Sequence, residues 1–118
     1  MVTLHSAPPV AVGFAYPLRI RAAGETPAFP AGCAIVAEVR AFAGAAELAG
    51  TLSTAGGSLV RIDDDTIELR MPSAITAALG NDTVALDFVR VDVSPDVWLG
   101  IQITLPVVKT VTRPGPDA

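Results

Sequence analysis

Residues 83–105 read TVALDFVRVDVSPDVWLGIQITL, and the spacing of the apolar residues in this stretch decides the fold. In its second half, Val97, Leu99, Ile101, Ile103 and Leu105 fall on one side of an extended chain, with Trp98, Gly100, Gln102 and Thr104 on the other. Successive side chains of a strand point to opposite faces, so a sustained period of two marks a strand with one apolar face. The row predicts a core strand. In the first half Val84, Leu86 and Phe88 share a face, but Val89, Val91 and Val93 take the other. That change of parity predicts a bulge near Phe88 or Val89, or burial of both faces. Between the halves, Ser94, Pro95 and Asp96 supply a turn through a fixed φ and side-chain-to-backbone bonds.

The same spelling recurs outward from this hairpin. Ile35, Ala37, Val39 and Ala41 oppose Glu38 and Arg40; Ile67, Leu69 and Met71 oppose Glu68 and Arg70; Leu18 and Ile20 oppose Arg19 and Arg21. With 47–53 and 58–62 added, about seven short strands are separated by Gly- and Pro-bearing turns, among them 43–46, 55–57 and 63–65. That pattern predicts an all-β fold, an immunoglobulin-like antiparallel β-sandwich. One segment breaks the period. Pro72 to Leu79, with Ser73 placed to cap and Gly80 to terminate, predicts a two-turn helix crossing between sheets. The sandwich is expected over 13–112, with Pro-bearing residues 1–12 and 113–118 as flexible ends.

The chain has 118 residues, 51% of them hydrophobic and 17% charged, which suits one compact domain. Such a domain buries roughly two-thirds of its unfolded surface and folds without disulfide or metal staples. Eight basic residues against twelve acidic ones give a net charge of −4, so nucleic acid is not an expected partner. No window approaches the ~18 apolar residues of a membrane span, and the start lacks a signal-like pattern, which places folding in the cytoplasm. A mean hydropathy of +0.52 is high for such a chain and points to apolar surface used in an interface.

Residues able to carry chemistry are few. The one histidine, His5, lies in a Pro-flanked segment where nothing local orients it as a general base, so a Ser/His/Asp triad is not expected. Cys33 is the one cysteine and sits among small residues with no neighbouring cation in sequence, which reads as a buried apolar thiol rather than a nucleophile. Asp63, Asp64 and Asp65 lack the later Glu and the Gly of a calcium loop and read as a solvated turn. Asp82, Asp87, Asp92 and Asp96 could be recast as a glycosidase carboxylate pair, but solvent-facing strand and turn positions explain them. The glycines match no phosphate-binding pattern. No catalytic, cofactor-binding or metal-ligating residue is therefore assigned, and the chain is expected not to be an enzyme. Trp98, on the polar parity of its strand, is a candidate interface residue.

The order of features resembles the N-terminal immunoglobulin-like domain of phage baseplate upper proteins and related small tail-module proteins of tailed phages and prophages. The stretches that carry the resemblance are Tyr16 to Ile20, Ala34 to Arg40, the helix Ser73 to Leu79 with Gly80, Val84 to Arg90, and the close through Val107 to Val111, Thr112 and Arg113. One departure is Thr83–Val84, which stands where the family often carries an aromatic after the short helix. The resemblance implies a non-enzymatic structural protein of a virion, in the tail, baseplate or head–tail region, made in the host cytoplasm. It would need no cofactor and would assemble with copies of itself and with neighbouring virion proteins. The expected contact residues are Trp98, Ile101, Ile103, Leu105, Val107 and Val111, on a terminal, apolar strand. The alternative is a bacterial immunoglobulin-like module that recognises a protein or glycan through its loops.

Overall fold

The computed structural model describes residues 2–4, 7–22, 24–80 and 82–112. In chain order the strands are β1 (Val2–Leu4), β2 (Val10–Ala11), β3 (Tyr16–Arg21), β4 (Ile35–Arg40), β5 (Gly50–Ser53), β6 (Leu59–Asp63), β7 (Thr66–Met71), β8 (Thr83–Arg90) and β9 (Val97–Val108), with helix α1 (Ser73–Thr76) before β8. One sheet runs β1-β9-β8-β4-β5, with β2 also on β9, and the other runs β3-β7-β6. The chain changes sheet between β2 and β3, between β3 and β4, between β5 and β6, and through α1 between β7 and β8. This is an all-β sandwich of immunoglobulin-like order, its first-strand segments laid on the sheet that holds the last strand.

Alternation explains the core. Ile35, Ala37 and Val39 of β4, Val84, Leu86 and Phe88 of β8, and Ile101, Ile103 and Leu105 of β9 are buried from one sheet; Ile20, Leu59, Ile67, Leu69 and Met71 are buried from the other. Each of these side chains apart from Ala37 contributes about 1.5–3 kcal/mol by leaving water. Phe29 belongs to no alternating stretch of the sequence. It lies in the loop between β3 and β4, is fully buried, and meets Phe88 edge to face with ring centroids 6.4 Å apart. The loop is pinned there because the Phe29 N–H donates to the Asp64 carbonyl at 2.8 Å and Arg61 Nε donates to the Phe29 carbonyl at 2.7 Å.

The predicted irregularity in the hairpin is present. The β8–β9 register shifts between Asp87 and Val89: Asp87 pairs with Gln102, but Val89 pairs with Trp98. The extra β9 residues include Gly100 at φ +76°, a left-handed conformation that a side chain resists. Ala85 is also buried, so part of β8 is covered on both faces.

Three expectations need correction. The first concerns residues 1–12. Among those described, Val2–Leu4 pairs in parallel with Ile101–Ile103, and Val10–Ala11 with Val107–Val108, so they are strands of the sheet and not a separate arm. The Val107 N–H donates to the Asp82 carbonyl at 2.8 Å, which turns Pro106 toward the arm, where it has no N–H to offer. Pro8 and Pro9 lack donors as well, and the ladder is interrupted there. Tyr16 holds this stretch by donating its hydroxyl to the Pro8 carbonyl at 2.6 Å. His5 and the tail 113–118 lie outside the described residues.

The second correction is the helix, which makes one turn and not two. Pro72, extended at φ −71° and ψ 156°, takes the cap position, and Ser73 makes no capping bond. Gly80 is absent from the glycines with positive φ, so it does not terminate the helix in the left-handed way. Thr76 anchors the segment instead. Fully buried, its Oγ1 accepts the Gly13 N–H at 3.1 Å and donates to the Phe14 carbonyl at 2.8 Å, tying α1 to the turn before β3. The third correction concerns β9 and its contact residues.

Candidate protein-contact surface

Strand β9 lies between β8 and the short strands β1 and β2, so it is an interior strand over Ile101–Ile103 and Val107–Val108. Its inward row follows from that position. Ile101, Ile103 and Leu105, expected as partner contacts, are 1–2% exposed and belong to the core, and Val107 is half-buried against it. A side chain that fills the space between two sheets cannot also meet a partner. The two remaining expected contacts are outward: Trp98 is 50% exposed, and Val111 is fully exposed past the end of the strand.

Around Trp98 the outer face of the larger sheet carries a defined set of groups. The indole Nε1 donates to Asp87 Oδ2 at 2.9 Å, which fixes the ring while leaving half of it in solvent. Asp87 of β8 lines a groove of about 210 Å3 together with Glu38 and Arg40 of β4, Gln102 of β9, and Phe42 from the turn after β4. Phe42 is 56% exposed. Arg40 is held in place, with Nη2 donating to Glu38 Oε1 at 2.6 Å and Nη1 to the Ala45 carbonyl at 3.1 Å. The surface therefore has an aromatic side chain at each end and two carboxylates between them, on adjacent strands. Val91, also exposed, extends its apolar part along the β8–β9 hairpin, while Val97, exposed too, lies on the opposite side of β9 from Trp98.

At the base of that hairpin Arg90 makes a two-bond fork on Asp92, Nε to Oδ1 at 2.8 Å and Nη2 to Oδ2 at 2.9 Å. Asp92 Oδ1 also accepts the Ala34 N–H at 3.2 Å, so the hairpin is bolted to the start of β4. The Arg90 guanidinium holds the Asp92 carboxyl far below the usual carboxylate range. Cys33 is half-buried beside this pair, a little less covered than expected. Burial first, and then the Asp92 charge, push its thiol up, which keeps it protonated and unsuited to nucleophilic work.

The acidic turn does local work. Asp63 Oδ1 accepts the Asp65 N–H at 2.9 Å, and Asp64 pairs with Arg61. That bonding, chiefly the Asp65 N–H, holds the Asp63 carboxyl below its ordinary value. Among the described residues no group of three or more His, Cys, Asp or Glu is placed to hold a metal ion.

On the opposite side of the sandwich, Glu68 lies between two arginines, with Arg19 Nε at 3.1 Å from Oε1 and Arg70 Nε at 2.6 Å from Oε2. Its side chain is 16% exposed against 66% and 56% for the arginines, so guanidinium groups form the outermost layer there. These two bonds, the one from Arg70 first, lower the Glu68 pKa.

No protein-family model and no curated protein matches the chain. Among solved structures, a Bacteroides vulgatus protein named as a putative glycoside hydrolase is similar at a TM-score of 0.47 and 15% identity, covering 92% of this chain and 17% of that one. The chain thus corresponds to about one sixth of that protein's length. A likeness of this degree carries neither fold nor chemistry across.

Proposed function

We propose that this protein is a non-enzymatic structural component of a tailed phage or phage-like particle, located in the virion and acting by protein–protein assembly. The observation that carries the assembly part is the group of large apolar side chains left in solvent on the outer face of one hairpin and on the neighbouring turn: Val91, Trp98 and Phe42. An exposed Trp held in place beside polar groups has the composition of a binding hot spot. The phage part rests on the resemblance, whose stretches coincide with β3, β4, α1, β8 and the end of β9.

The test is made on particles. Phage-like particles from the producing bacterium, banded on a density gradient, are expected to contain the protein at a fixed copy number by quantitative mass spectrometry. Its absence from intact particles overturns the reading. Replacing Trp98 by Asp should reduce its incorporation without unfolding it, since the side chain lies outside the core. The alternative reading, a module that binds a soluble protein or glycan through its loops, predicts a secreted or cell-surface protein that is absent from such particles.

A further inference from the structure

The two outer faces of the sandwich differ in charge, and the difference is complementary. On the larger sheet, Glu38 and Asp87 stand on neighbouring strands against one cation, Arg40, which pairs with Glu38 and with loop carbonyls, so the charge left over on this face is that of Asp87, whose hydrogen bond is to a neutral indole. On the three-stranded sheet, Arg19 and Arg21 of β3 and Arg70 of β7 point outward, opposite the inward Ile20, Leu69 and Met71, with Glu68 beneath two of them. We propose that copies of this chain associate head to tail, with Arg19 and Arg70 of one copy entering the groove between Glu38 and Asp87 of the next. The proposal rests on the assembly reading and names its partner as a second copy.

Several properties of the surface fit that occupant. A guanidinium can lie on the exposed indole of Trp98 while its N–H groups reach a carboxylate, combining cation–π contact with a charge-assisted bond. Exposed ion pairs alone hold little, so most of the attraction would come from covering Trp98 and Phe42, with the charges setting orientation and excluding like faces. Extents of 44 × 28 × 25 Å give each face room for the roughly 800 Å2 per partner of a standard interface. Because the two faces are different surfaces of one molecule, the contact is heterologous. It builds rings where the rotation closes and filaments where it does not.

The test uses the whole chain, with light scattering on a size-exclusion column and emission from Trp98, the chain's single tryptophan, as a reporter. The wild type is expected to associate with rising concentration, to shift Trp98 emission to shorter wavelength as it does, and to associate more weakly in about 1 M salt, where the screening length falls to about 3 Å and the orienting charges are lost. A variant carrying Glu38→Arg and Asp87→Arg, and another carrying Arg19→Glu and Arg70→Glu, should each associate at least about tenfold more weakly. Mixing the two should restore association, because each then meets an oppositely charged face, and a misfolded variant could not do so. Should either reversal unfold the chain, the milder Glu38→Gln and Arg19→Gln variants should still weaken association and reduce its salt dependence. Wild-type assemblies that tolerate every one of these changes overturn this contact and leave the assembly reading standing. A wild type monomeric at all concentrations overturns self-association, and presence in particles then decides the assembly reading separately.

Discussion

The two halves of β9 are written alike and are used differently. From Ile101 to Leu105 the apolar row is buried between the sheets; from Val97 to Leu99 the same alternation leaves Val97 46% exposed and Leu99 half-buried. The register shift around Gly100 separates them, and Val97 pairs with Arg90, past the point where Phe29 and Phe88 close the core. Periodicity thus reports which side of a strand a residue takes. Whether anything stands over that side depends on how far the opposite layer reaches.

The sharpest way to break the comparison is to truncate each half. Ile103→Ala removes a fully enclosed side chain and should cost about 2–5 kcal/mol, read as a fall in the urea midpoint at constant slope. A loss below about 1 kcal/mol would mean that this half is not core. Gly100→Ala strains the left-handed residue between the halves and should cost about 1–2 kcal/mol. If the variant is as stable as the wild type, the bulge does not set the boundary. Trp98→Ala should change stability by less than about 1 kcal/mol while weakening the concentration-dependent association described above, read by light scattering.

The base of the hairpin sharpens the comparison through pH. Asp92 has a folded pKa below its unfolded value of about 3.9, so the stability it contributes is present above that value and is lost as pH falls toward the folded pKa. Asp92→Asn should therefore be less stable than the wild type at pH 6, and the gap between their urea midpoints should narrow between about pH 4 and pH 2. A gap that stays constant over that range would show that the loss comes from something other than the carboxylate charge.

Much of this architecture is legible in the chain because half-buried strands must alternate. The seven strands β3 to β9, the hairpin bulge and the outward side of Trp98 all follow from period two. The helix was legible as an interruption but not in length, since Thr76 and the descent into β8 limit it to one turn. Phe29 gave no signal, because a single aromatic in a Pro- and Gly-rich loop has no periodicity to announce that it plugs the sandwich. The contact residues divided the same way: apolarity selected Ile101, Ile103 and Leu105 together with Trp98, and burial removed the first three. Phe42, Glu38 and Asp87 give no joint signal in the sequence, lying on a turn and two different strands and meeting through the β4–β8 register.

By itself, then, the order of residues determines that the chain is all-β, roughly where each strand lies, and which side of each is apolar, because these depend on local geometry that repeats every two residues. Tertiary structure alone decides that residues 2–4 and 10–11 cover the edge of β9, that β9 is interior, and that carboxylates from two strands share a groove beside Trp98. Those outcomes depend on which strands are neighbours, and pairing between distant segments leaves no periodic trace in either one.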